Sequence, residues 1–303
     1  MSEILEPSGM GWLPDYPSLN DHTIHTDQVS AKHRARGQRQ SVSAMLTTLG
    51  AAAAPLQLPA IVDLRSWCSP IENQGSLGSC TAHAGVGMVE YYERRAFGKH
   101  IDASRIFLYK TTRNLLKSSG DTGAFLRTTM EALVLFGVPP EEYCPYIIAN
   151  YDNEPSAFCY AFGQNYQAIN YYRLDPPGTT PSALLNQIKT NLVAGLPSMF
   201  GFSVYSSYTQ AATTGKIPMP TAGEKIVGGH AIMVVGYDDT IKIKNSNAGA
   251  VETTGALLIR NSWGATWGAA GYGWLPYDYV LKRLATDWWS LVKEEWVDTG
   301  NFG

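Results

Sequence analysis

Apolar positions at Ala82, Val86, Val89 and Ala96 recur at near-helical spacing, and Gly98 supplies a stop, so the pattern predicts a helix over 80–97 with Ser79 as its N-cap. The same reading gives a short helix after Ser41, with Val42, Met45, Leu46 and Leu49 on one face and Gly50 ending it. Further helices are expected over 104–116, over 124–136 closing at Gly137, and over 184–194. Runs of strand type occupy 61–65, 231–237 and 257–260. Helices dominate the first half of the body and strands the second, which predicts an α+β protein with two lobes. No internal repeat is visible.

Residues 1–58 differ from the rest. Proline and glycine near the start give way to polar and basic residues and then to an alanine run. The segment 11–17 is too proline-broken for a helix, yet carries Trp12 and Tyr16, two large aromatics in need of a surface. The basic stretch 32–39 reads as a solvated face or an exposed loop, with binding of a small anion as its alternative.

Composition narrows the function classes. The chain has 303 residues, 45% hydrophobic and 16% charged, enough for a large core in a compact globule. A net charge of −3 gives no reason to expect nucleic acid as a partner. The four cysteines, Cys68, Cys80, Cys144 and Cys159, show neither zinc spacing nor a disulfide framework, so no metal or other cofactor is expected. No apolar run reaches transmembrane length. The first residues are acidic and lack an apolar segment of signal-peptide type, so the expectation is a cytoplasmic protein or one exported without an ordinary signal.

The candidate chemistry starts at Cys80, preceded by a glycine-containing turn from Gln74 and placed at the positive end of the predicted helix, where a thiolate is favoured. A small buried core residue would look similar. His83 is close in sequence, but its place on the same helix does not guarantee an approach to the thiol. A second histidine, His230, follows Gly228 and Gly229 at the entrance of the 231–237 strand. Asn261 follows the next strand and suits the task of fixing one imidazole nitrogen, with Trp263 to shield that bond from water. Asn245 imitates it but lacks the tryptophan and glycine that follow Asn261. The long segment between His230 and Asn261 then suggests an extended hairpin over 244–255.

Taken together, Gln74-Gly75, Gly78-Ser79-Cys80, His230-Ala231, Asn261-Ser262-Trp263-Gly264, Trp267-Gly268 and Gly271-Tyr272-Gly273 resemble the papain-like cysteine peptidases. The resemblance runs from about Pro59 to Trp274. It implies a papain-like fold, with a helical left lobe over about 70–165 and a β-barrel-like right lobe over about 166–280 that includes the 59–69 strand. The active site would lie in the cleft between them, and residues 281–303 would form a C-terminal extension carrying Trp288, Trp289 and Trp296.

By position, the resemblance makes Cys80 the nucleophile, His230 the base, Asn261 its orienter, and Gln74 with the Cys80 backbone N–H the oxyanion hole. Gly123 would hydrogen-bond the substrate backbone. Ala124, Phe125 and Gly201 would line an apolar pocket for the substrate's P2 side chain, with Gly229 and Trp263 beside it. Thr81 replaces the family's tryptophan after the nucleophile and Leu77 a disulfide-bonded cysteine, so that bridge is absent; Gly229 stands where some members have aspartate. Residues 1–58 are too short for the family's long propeptide and resemble the short leaders of bacterial members. The expected activity is that of a monomeric endopeptidase acting on peptides or proteins and partly inhibited by its own leader. A papain-fold acyltransferase and an inactive binding scaffold are the alternatives.

Overall fold

The computed structural model of the protein describes residues 9–35, 37–52, 57–167 and 170–292. The leader contributes strand β1 (Trp12–Leu13) and helices α1 (Ala31–Ala35) and α2 (Val42–Thr48). Helix α2 opens as expected: the Ser41 hydroxyl accepts from the Ala44 N–H, and Val42, Met45 and Leu46 are buried. A helix of 7 residues is marginal alone, so this buried face is what holds it. Of the two early aromatics, Trp12 is buried whereas Tyr16 is 89% exposed. Arg36 and the side chains of Lys32 and His33, much of the basic stretch, lie outside the described residues, as does Trp296.

The helical lobe follows strand β2 (Ile61–Asp63) and holds α3 (Cys80–Phe97), α4 (Arg105–Leu115), β3 (Ala124–Phe125), α5 (Leu126–Leu135) and α6 (Ala157–Gly163). Helix α3 is buried without interruption from Cys80 to Tyr92, so it is the central helix and carries small or apolar residues on every side. Gly85 lets its neighbours close in, since a Cβ there would lie 3.2 Å from both Leu108 and Thr129 side chains. Ser79 stands at the N-cap position of α3, but its hydroxyl does not cap the helix. It pairs instead with Tyr146 Oη at 2.7 Å and His83 Nδ1 at 3.3 Å. The helix expected from 124 starts two residues later, because Ala124 and Phe125 pair with Trp12 and Leu13 as a parallel strand.

The β-rich lobe is built from β4 (Asn170–Arg173), α7 (Pro181–Val193), β5 (Ser198–Tyr205), β6 (Ile226–Ile243), β7 (Thr253–Arg260), β8 (Tyr272–Pro276), α8 (Tyr277–Leu281) and β9 (Ala285–Val292). Its strands run in the order β4-β9-β5-β6-β7-β8 with β2 added on β6, each pairing antiparallel. Ile243 pairs with Thr253, so residues 244–252 connect a long hairpin between the His230 and Asn261 strands. The C-terminal segment is no appendage here. Strand β9 lies between β4 and β5, with Trp288 and Trp289 fully buried and Trp288 stacked on Phe200 at 3.9 Å. Helix α3 packs against β6, which brings the start of the helix to the strand that carries His230.

Candidate active site

Cys80 opens α3 and His230 lies in β6 across the seam between the lobes, both fully buried. The Ala231 N–H donates to the Cys80 sulfur at 3.4 Å. His230 Nε2 meets Asn261 Oδ1 at 2.8 Å, and the Ser262 N–H donates to the same oxygen, which fixes the orientation of the Asn261 amide. Nδ1 is the other imidazole nitrogen; it is buried and without a hydrogen bond among the described residues. Trp263 stacks on the ring at 4.5 Å between centroids, with Trp267 edge-on behind it.

The electrostatics follow from burial. Desolvation pushes the Cys80 thiol up to about 11, against N–H groups of Ala231, Gly11, Thr81 and Cys80 itself that favour the thiolate. Burial likewise pulls His230 down to about 4, opposed by its bond to Asn261. Both shifts favour the neutral thiol and the neutral imidazole. His83, the nearer histidine in sequence, faces the Ser79 carbonyl at 3.1 Å and packs edge-on against Tyr146; burial lowers it to about 3. Asn245 is buried in the hairpin connection, where it bonds the Met219 carbonyl and Glu224, far from any imidazole role.

Gln74 is also fully buried. Its Nε2 donates to the Leu77 carbonyl at 2.8 Å and to the Gly9 carbonyl of the leader at 2.7 Å. Two residues to which the sequence analysis gave no role support this corner. The Ser262 hydroxyl donates to Gln74 Oε1 at 2.5 Å, while the Gln74 N–H donates to the Ser262 carbonyl. Asp121 accepts from the Gly78 N–H at 3.0 Å and from Tyr109 Oη, tying the 120–123 loop to the turn before Cys80. The only sequence signal for either is position: Ser262 sits inside the Asn261 motif and Asp121 inside a glycine loop.

The remaining predicted residues surround the leader. Gly9 donates to the Gly75 carbonyl, and Gly11 lies so close to Gly78 that a Cβ would stand 1.9 Å from its carbonyl oxygen. Trp12 lies across Gly201 and Gly229, where added Cβ atoms would meet its ring at 1.9 and 3.0 Å. Ala124 and Phe125 pair with Trp12 and Leu13. Gly123, with φ +71°, leaves room for the Gly11 carbonyl, but the backbone bond expected of it is made by its neighbour. The Gly123 N–H is held by Tyr109 Oη, and it is the Ala124 N–H that donates to Gly11 at 2.8 Å. Further along, Asp15 and Asp21 pair with Arg127, which also donates to the Tyr16 carbonyl. The structure thus brings all ten predicted site residues around one cleft, and that cleft is filled by residues 9–13.

Comparison with known proteins matches the same arrangement. The chain is 33% identical over 237 residues to an uncharacterised peptidase C1-like protein of Acanthamoeba polyphaga mimivirus, covering 76% of this chain and 72% of that one. It is 27% identical over 223 residues to cathepsin K of Gallus gallus, covering 71% of this chain but only 58% of the relative. Among solved structures, xylellain, a cysteine protease from Xylella fastidiosa, superposes with a TM-score of 0.70 at 29% identity, covering 94% of this chain and 97% of that one. The model of the papain family cysteine proteases matches residues 58–281, and the chain belongs to that family.

Proposed function

We propose that the protein is a cysteine endopeptidase held closed by residues 9–13 of its own leader. The observation that carries this reading is the position of the Gly9 carbonyl, 2.7 Å from the Gln74 amide beside the buried Cys80, His230 and Asn261. In the open enzyme, His230 Nδ1 takes the Cys80 proton and the thiolate attacks the substrate carbonyl carbon. Gln74 Nε2 and the Cys80 N–H receive the oxyanion. The imidazolium, held through Nε2 by Asn261, then protonates the leaving amine. Water, deprotonated by the same imidazole, hydrolyses the thioester and restores the thiol.

The leader runs parallel to Ala124–Phe125 and presents the Gly11 N–H to the sulfur. By covering the cleft it also desolvates the pair and favours its neutral form. On this reading residues 1–58 are the regulatory leader and residues 59–303 the peptidase body. Arg127, gripping Asp15 and Asp21, anchors the leader beyond the cleft.

The test is product analysis by mass spectrometry on a peptide mixture, with and without an added primary amine, for the full-length Gly11→Val protein, whose leader cannot seat in the cleft, and for the same protein carrying Cys80→Ala. Hydrolysis that disappears in the variant is expected. Amide products formed with the amine would make the chain an acyltransferase, and equal traces from both proteins would make it a scaffold.

A further inference from the structure

Resting on the peptidase reading above, we propose that Asp287, at the base of the pocket filled by Trp12, selects a flat peptide side chain with one N–H donor, tryptophan above others.

The shape comes from missing atoms. Gly201 and Gly229 lie on the same face of the sheet and present bare backbone to the indole that lies across them, and a Cβ on Gly201 would stand 1.9 Å from the ring. Such a flat floor suits a planar aromatic. The chemistry comes from the far end of the ring, where Trp12 Nε1–H donates to Asp287 Oδ2 at 3.1 Å. The other carboxylate oxygen is already engaged by Trp289 Nε1 at 2.7 Å and by Arg173 at 3.2 Å. Departure of the leader therefore strips a partner from one oxygen only, the one that faces the pocket.

The backbone is bent to aim that oxygen. Between β5 and β9 the pairing steps from Met199 with Trp289 to Gly201 with Thr286, so β9 carries one extra residue there. A bulge of this kind redirects a side chain. Asp287 sits in it with φ +62°, a left-handed conformation that aspartate tolerates at a cost. The carboxyl group is fully buried, and burial raises its pKa to about 6 against the pull of Arg173, Trp289 and Trp12, so the oxygen facing the pocket needs a hydrogen-bond donor.

Charge then discriminates between donors. Arg173 pairs with Asp287 at 3.2 Å and with Asp175 at 2.8 Å, so a cation already stands beside the carboxylate and a second one meets its repulsion as well as the negative charge that one arginine leaves on the pair. An aliphatic side chain would leave the pocket oxygen buried without a donor, which is costly. The neutral N–H of an indole meets both conditions. The pocket is thus not the plainly apolar one that the sequence suggests.

The test uses the full-length Trp12→Gly protein, whose pocket is vacated. Calorimetry compares indole with benzothiophene, a ring of the same shape that lacks the N–H. Hydrolysis is then compared, in the full-length Gly11→Val, Trp12→Gly protein whose leader cannot seat in the cleft, for peptides carrying tryptophan, 3-benzothienylalanine, leucine or arginine at the P2 position. The inference expects indole to bind more tightly than benzothiophene, and kcat/KM for tryptophan to exceed that for benzothienylalanine by about 10- to 100-fold, the range for a hydrogen bond to a charged group. In the Gly201→Ala protein the tryptophan preference should vanish while smaller side chains are still accepted. Equal binding of the two rings, leucine as good as tryptophan, or arginine better than tryptophan would each overturn it. Preference for indole with no peptide cleaved at all would instead defeat the peptidase reading.

Discussion

Gln74 is gripped at the carbonyl end of its amide by Ser262 Oγ, which leaves Nε2 as the end that faces the cleft. An amide not held in this way could present its oxygen instead, and an oxyanion would then meet an acceptor. Removing the donor altogether, as in Gln74→Ala, should lower kcat by about 10²- to 10³-fold. Ser262→Ala keeps the donor and removes its orientation, so kcat should fall by less, with KM little changed. Steady-state kinetics on protein with an expelled leader measure both. A Ser262→Ala enzyme as fast as its parent would show that the bond from the Gln74 N–H to the Ser262 carbonyl positions the side chain unaided.

At the scale of elements, the leader divides into two parts with different work. Residues 9–13 fill the cleft, whereas α2 buries Val42, Met45 and Leu46, and the Ala51 carbonyl accepts from Gln187 on α7. Burial of each such side chain contributes about 1.5–3 kcal/mol. Deleting residues 1–13 should therefore raise peptidase activity with a small change in Tm, while deleting residues 1–52 should lower Tm strongly. Equal losses of Tm from both deletions would refute the division. These elements also differ in how legible they were. Helix α2 could be read from its period and from Ser41, which caps it with a local hydrogen bond. Strand β1 could not, because two residues have no period and its partner Ala124 is more than a hundred positions away. Ala124 and Phe125 read as helix for the same reason: their own neighbours favour it, and only the leader makes them a strand.

Across the whole molecule, the lobes and their order were legible, since helices and strands segregate along the chain. Cys80, His230, Asn261 and Gln74 were legible too, each inside a short local motif. The pocket carboxylate of Asp287 was not, because its role depends on a bulge and on pairing with Trp12, 275 positions away.

One long-range cluster gives a pH dependence. Glu224 accepts from the Ser207 and Thr221 N–H groups and from Asn245 and Asn247, joining the hairpin connection to two other loops. Although burial raises its pKa, the bonds from Ser207 and Thr221 outweigh that and lower it from 4.5 to about 2. A carboxyl with a depressed folded pKa stabilises above its unfolded value, and that stability is lost as pH falls from 4.5 toward 2. Denaturant titrations across this window should show a shallower acid slope for Glu224→Gln than for the parent. An unchanged slope would remove Glu224 from the acid response.

The leader in the cleft is the central claim, and Gly11→Val in the full-length chain tests it most directly, because any Cβ there collides with the Gly78 carbonyl at 1.9 Å. The measurement is the rate of Cys80 alkylation by a peptidyl epoxide, followed by intact mass, with Cys80→Ser as the control for the other free thiols. The account predicts slow labelling of the parent and fast single labelling of the variant. Equal rates in the two proteins would contradict it.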